Sequence, residues 1–172
     1  MSRRYEIIDN FMPENFYEEA KKFIIDDTLL PWRLSNQVSD YDSEDGIYFV
    51  HTFIERWNNL SDFTNLFEPI LHEVNPQGLI RFRANLYPKT STLKEHGWHC
   101  DPGDHNSRAC IYYINSNNGK TILKGDDGED DIVIDSVGNR ALFFDSYKEH
   151  RSTTCTDEEY RCNIIVNYIP WS

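Results

Sequence analysis

The sequence predicts a mostly β (α+β) fold, a double-stranded β-helix or jelly roll with flanking helices in its N-terminal part. Three observations carry this reading. From residue 79 onward the chain breaks into eight short strand-like segments separated by turn signals. Within them apolar and polar residues alternate with period two. Before residue 79, two segments instead repeat their apolar residues at helical spacing.

In chain order, residues 5–8 read as a short strand. Residues 13–26 read as a helix, with Pro13 near its first turn and Phe16, Ala20, Phe23 and Ile24 on one face. Residues 27–46 read as loop, with a strand near 32–34 and an acidic solvated loop or lid over 40–46. Residues 47–54 read as a strand. The clearest helix runs from about Asp62 to Val74, with Ser61 as N-cap. Phe63, Leu66, Phe67, Ile70, Leu71 and Val74 give it one apolar face for packing on a sheet, and Pro76 and Gly78 end it.

The expected core strands are 79–87, 97–101, 108–115, 120–124, 131–135, 140–145, 149–154 and 161–169. Asn118-Gly119 is a tight-hairpin dipeptide, and Asp126-Asp127-Gly128 marks another turn. No repeat or linker divides the chain, so 1–172 is read as one domain. Residues 1–78 would be the helical and stranded support, and 79–169 the catalytic jelly roll.

In strand 79–87, Arg81, Arg83, Asn85 and Tyr87 share a face opposite Ile80, Phe82, Ala84 and Leu86. In strand 161–169, Arg161, Asn163, Ile165 and Asn167 lie opposite Cys162, Ile164, Val166 and Tyr168. A polar face of this kind either meets solvent or lines the mouth of a cavity. The cavity is the reading adopted for Arg161 and Asn163.

A chain of 172 residues with 39% apolar content can bury a sizeable core. The formal charge of -12 argues against a nucleic-acid backbone as partner. Cys100, Cys110, Cys155 and Cys162 form no CxxC pair, which argues against a zinc-thiolate site and suits reduced thiols. The opening stretch has no signal-like apolar run, and nothing is long enough to span a bilayer, so a cytoplasmic protein is expected.

The chemistry is carried by His99 and Asp101, two residues apart on an extended segment, followed by His150 and then Arg161. Two histidines and one carboxylate hold a divalent metal on one triangular face and leave three positions open, the pattern of non-haem iron. Six histidines and 29 acids in 172 residues make one His-x-acid pair an ordinary coincidence, so the weight rests on the ordered set. His96 and His105 flank the pair and are alternative ligands or loop histidines. His51 and His72 read as structural, and Cys100 as a packing residue. Tyr87, Tyr112 and Tyr113 read as core, although Tyr87 shares a face with Asn85.

These residues resemble the 2-oxoglutarate- and Fe(II)-dependent oxygenases, in a branch similar to the prolyl 4-hydroxylases and their small phage and bacterial members. The resemblance rests on RFRANLYPKTSTLKEHGWHCDP, ACIYYINSNNGKT, VGNRALFFDSYKEH and YRCNIIVNYI, within residues 79–169. It implies Fe(II) held by His99, Asp101 and His150, and 2-oxoglutarate paired through its far carboxylate with Arg161. Tyr87, Asn85 and Asn163 are candidate co-substrate contacts. Asn163 stands where the family often has a hydroxyl residue, and Asn118-Gly119-Lys120-Thr121 replaces its usual Gly-Gly-acid sequence.

The implied reaction uses O2, with ascorbate as reductant, and gives succinate and CO2. Asp101 favours hydroxylation over halogenation. Trp98, Pro102 and the loops 88–97 and 102–107 would shape the substrate entrance. The resemblance suggests a peptidyl proline as substrate, with other peptides, proteins or small molecules open. Two other readings stand beside it: a cupin-like zinc or manganese enzyme of another class, and a non-catalytic jelly-roll binding module.

Overall fold

Strand β5 (Gly78–Pro88) and strand β11 (Tyr160–Ile169) run antiparallel at the centre of the molecule, with Arg161 opposite Tyr87, Asn163 opposite Asn85 and Ile165 opposite Arg83. The computed structural model describes residues 5–27, 29–36 and 46–171. Around this pair the described strands form two antiparallel sheets. The larger follows the order β1 (Tyr5–Ile8), β9 (Ala141–Asp145), β6 (Arg108–Tyr113), β11, β5, β3 (Tyr48–Glu55) and β2 (Arg33–Ser35), with β4 (Asn58–Asn59) paired to β3. The smaller is β10 (His150–Ser152), β7 (Asn117–Leu123) and β8 (Ile132–Ser136). This is the mostly β jelly roll that the alternation predicts.

The period of two divides the large sheet into two working faces. Phe82, Ala84, Cys110, Tyr112, Phe143, Ile164 and Val166 point outward under the helices and join Phe53, Phe67 and Ile70 in the main core. Ala109, Ile111, Tyr113, Leu142, Phe144 and Ile165 point inward and pack with Leu123 and Ile134 of the small sheet. Burial of each large apolar side chain here is worth about 1.5–3 kcal/mol. The polar face is also inward. Asn85 and Asn167 are fully buried, and Arg161 is 1% exposed.

Helix α1 (Glu14–Lys21) begins after Pro13, whose fixed φ suits the position, and continues as a π-helical turn over Lys22–Asp26 that buries Ile24. Helix α2 (Thr64–Val74) starts two residues later than expected. Ser61 does not cap it; its Oγ accepts the Phe63 amide at 3.0 Å and opens the preceding turn. Asn75, left-handed at φ 49°, closes the helix and donates its amide to the Leu71 carbonyl. Leu66 departs from the expected buried face, because it is 52% exposed beside Phe16 and Phe23 of the first helical segment.

Two further expectations are corrected. Residues 97–101 do not form a strand. The segment is extended along β10 through isolated bridges, Glu95 with Thr153 and His99 with His150. Asn118-Gly119 is not a hairpin turn. It lies inside β7, where the register with β8 slips between Asn117 and Lys120. The turn at Gly128 is as expected, with φ 85° and the Glu129 amide on the Asp126 carbonyl. The acidic stretch 40–45 lies outside the described residues.

Candidate metal centre and co-substrate pocket

His99 and Asp101 come from the extended segment beside β10, and His150 opens β10 itself. The backbones of His99 and His150 exchange two hydrogen bonds, at 3.0 and 2.9 Å, so both imidazoles leave one rung of the small sheet. The Asp101 amide bonds to the Ser146 carbonyl at 2.9 Å and sets the carboxylate beside them. One ligand atom from each of the three residues lies within 4.8 Å of the others, close enough to share a metal ion. His150 Nε2 is 3.8 Å from Asp101 Oδ2. His96 and His105 stand outside this group. His96 is buried on Tyr87 with Nδ1 2.8 Å from Ser152 Oγ, and exposed His105 meets the ring of Tyr147.

The tautomers follow from the partners. His99 Nδ1 is 3.1 Å from the Gly97 carbonyl, and His150 Nδ1 is 2.9 Å from the Lys148 carbonyl. A carbonyl only accepts, so both Nδ1 atoms carry a proton, and in the neutral imidazole the lone pair is the one on Nε2. The carboxylate is held as firmly. Arg81 donates to Asp101 Oδ1 at 3.1 Å and Asn167 donates to Oδ2 at 3.0 Å. Burial works against the Asp101 charge, but His150, Arg81, His99 and the Asn167 bond outweigh it and hold the carboxyl below its ordinary value. Burial pushes His150 down, toward the neutral form that a metal requires.

Arg161 lines the same narrow cavity, whose volume is about 20 Å³. Its Nε donates to Ser136 Oγ at 3.0 Å and one terminal nitrogen donates to Thr121 Oγ1 at 2.9 Å. The other terminal nitrogen is buried with no partner. Among the described residues no carboxylate pairs with it. Tyr87 and Tyr113 present their rings to the guanidinium at 5.4 and 5.9 Å, and Tyr113 donates its hydroxyl to Thr121 at 2.8 Å. Burial pushes the Tyr87 hydroxyl up to about 12, so it stays a donor. Asn85 donates to Asn163 Oδ1 at 3.1 Å, and its own Oδ1 is buried without a partner.

The sequence-derived residues therefore converge in one cavity: His99, Asp101, His150, Arg161, Tyr87 and Asn163 all line it. Trp98 and Pro102 are not among the lining residues. Trp98 packs against the Arg151 guanidinium at 4.3 Å, and Pro102 is exposed. Sequence reasoning gave no role to Arg81 or Asn167, although both sit on the polar faces it identified. Thr121 and Ser136 carried no signal, since single hydroxyls on strands are common.

No protein-family model matches the sequence, and no curated protein matches it. Solved structures do. A prolyl hydroxylase from Trichoplax adhaerens, in complex with a hypoxia inducible factor oxygen degradation domain peptide fragment, superposes with TM-score 0.69 at 12% identity, covering 98% of this chain and 84% of that one. A Pseudomonas putida prolyl-4-hydroxylase gives TM-score 0.63 at 14% identity, covering 99% and 94%. HygX from Streptomyces hygroscopicus, with nickel and 2-oxoglutarate bound, gives 0.62 at 11%, covering 97% and 83%. The fold is shared with these proteins. No helix among the described residues is long and apolar enough to cross a membrane.

Proposed function

We propose that this chain is a 2-oxoglutarate- and Fe(II)-dependent dioxygenase that hydroxylates a substrate C–H bond and releases succinate and CO2. One observation carries the reading: a buried guanidinium with no acidic partner among the described residues lies in the same cavity as three convergent metal-ligand atoms. A buried cation of this kind calls for an anion. The keto acid is a small molecule that can reach a metal with one end and an arginine with the other. The fold shared with a 2-oxoglutarate-bound enzyme supports the same choice.

The residues fit the groups. His99 and His150 would hold iron through Nε2, and Asp101 through an oxygen that Arg81 and Asn167 already orient. Arg161 would take the far carboxylate in a charge-assisted pair. Tyr87 would add a hydroxyl donor, and the Asn85–Asn163 pair the remaining polar contacts. When bound, iron with O2 supplies the oxidising power and the keto acid the two balancing electrons. The chain orients them, and Ile111 and Ile165 supply the aliphatic part of the lining. Pro102, beside Asp101, and Trp98, on the other side of His99, are assigned to the rim of the entrance. The names of two fold neighbours support a peptidyl proline as the substrate class.

The test is anaerobic titration with Fe(II) and 2-oxoglutarate, followed by succinate release in air with ascorbate. Arg161→Ala should weaken 2-oxoglutarate binding roughly tenfold or more, as expected for loss of a hydrogen bond to a charged group, and leave iron binding unchanged. Equal loss of both would contradict the role given to Arg161.

A further inference from the structure

Tyr87, Asn85, Arg83 and Arg81 alternate along one face of β5, and Tyr87 and Arg83 line the cavity. Three have partners. Tyr87 lies beside Arg161, Asn85 donates to Asn163, and Arg81 holds Asp101 and Asn167. The Arg83 side chain has no hydrogen bond or ion pair with any described residue, and its Nε is shut away from solvent without an acceptor. It lines the same cavity as the three metal-ligand residues. Its charge bears on both neighbours, opposing that of Arg81 and favouring ionisation of Tyr87, so the guanidinium lies among them.

A half-buried cation beside a second cation, with no acidic partner among the described residues, is unfavourable until an anion arrives. On the reading proposed above, the charges of Asp101 and of both co-substrate carboxylates are already more than matched by the divalent metal, Arg161 and Arg81. Arg83 is surplus. It stands four residues from Tyr87 along β5, about 13 Å from the level of Arg161 and next to the arginine that holds the metal-binding aspartate. A surplus cation there faces whatever is brought to the metal. The surface of a chain with net charge -12 would not attract an acid by itself, so its recognition needs a local cation.

We propose that Arg83 selects the substrate by pairing with an anionic oxygen group close to the carbon that reacts. The group is a carboxylate or phosphate, carried either by a small acid or by an acidic side chain of a peptide. This inference rests on the proposed metal and co-substrate site.

The experiment loads the protein with Mn(II), a paramagnetic stand-in for iron, and saturating 2-oxoglutarate. The probes are small cyclic and acyclic carboxylates and phosphates, each paired with its uncharged amide or alcohol, and proline peptides that differ only in Asp against Asn. The readout is relaxation enhancement of probe protons by the bound ion. Acids should show roughly tenfold or more enhancement over their neutral partners, the gain of a charged hydrogen bond. Free acids or Asp peptides will lead according to the natural source. Arg83→Met, similar in length and without polar atoms, should abolish that difference while thermal stability and 2-oxoglutarate affinity hold. Equal response of neutral probes, silence of all acids, or an acid preference that survives in Arg83→Met would each overturn the proposal. So would a loss of 2-oxoglutarate affinity in Arg83→Met as large as in Arg161→Ala, which would assign Arg83 to the co-substrate. If wild type binds neither Mn(II) nor 2-oxoglutarate, the proposed site itself fails and this inference falls with it.

Discussion

Gly119 lies against Arg161 so closely that a Cβ at this glycine would stand 2.6 Å from the arginine Cδ, and 2.8 Å from both the Thr154 carbonyl oxygen and Asn117 Oδ1. A side chain cannot enter that space without moving the guanidinium or the backbone across from it. Gly119→Ala should therefore displace Arg161. The expected result is a roughly tenfold or greater rise in the 2-oxoglutarate dissociation constant with metal affinity retained, measured by anaerobic titration. An unchanged constant would show that Arg161 does not hold the acid.

Asp101→Ala removes the only acidic ligand and leaves Arg81 facing an empty, positive cavity. Succinate release should fall below detection. Asp101→Asn keeps the bond to Arg81 through its amide oxygen and should fold better than the alanine variant while remaining as inactive. Continued turnover in either variant would remove the metal from the mechanism.

His51 links β3 to the segments on either side, donating from Nδ1 to the Pro31 carbonyl and accepting at Nε2 from Ser61, both at 2.7 Å. Burial holds its pKa below the ordinary 6.5 in the folded chain. Between the folded value and 6.5 the unfolded chain binds more protons, so stability is lost as the pH is lowered through that window and is fully present above it. Chemical denaturation at about pH 7.5 and pH 5 should show a larger loss for wild type than for His51→Gln. Equal losses would place the acid sensitivity elsewhere.

Phe53 is fully buried between Phe82, at 4.7 Å between ring centroids, and Phe67, at 5.0 Å, and so joins β3, β5 and α2. Phe53→Ala should cost about 3–5 kcal/mol in urea denaturation. Phe53→Leu, which keeps more of the volume, should cost distinctly less.

The polar faces of β5 and β11 were legible because a central strand with helices on one side and a second sheet on the other must alternate, and the alternation was in the sequence. The pairing of His99 with Asp101 was legible for the same reason, since residues two apart on an extended chain share a side, whereas His150 was legible from its order after the apolar strand at 140–144. The strand expected over residues 97–101 was not, because an extended segment bridged only to β10 at isolated points has the same local composition as a laddered one. The hairpin expected at Asn118-Gly119 failed on physical grounds. Glycine is needed there for room beside Arg161, not for a left-handed turn. The holders of Asp101, Arg81 and Asn167, depend on which strands pair, and nothing local in the sequence states that.

The reciprocal amide–carbonyl pair between His99 and His150 fixes more than a rung. In such a pair the two α-carbons stand about 5.5 Å apart, a spacing dictated by peptide geometry and shared by antiparallel sheets in general. The gap between the imidazole donors is thus inherited from the backbone instead of being assembled when an ion arrives. Capture then demands little rearrangement, and a cation too large for that span meets a frame that resists widening.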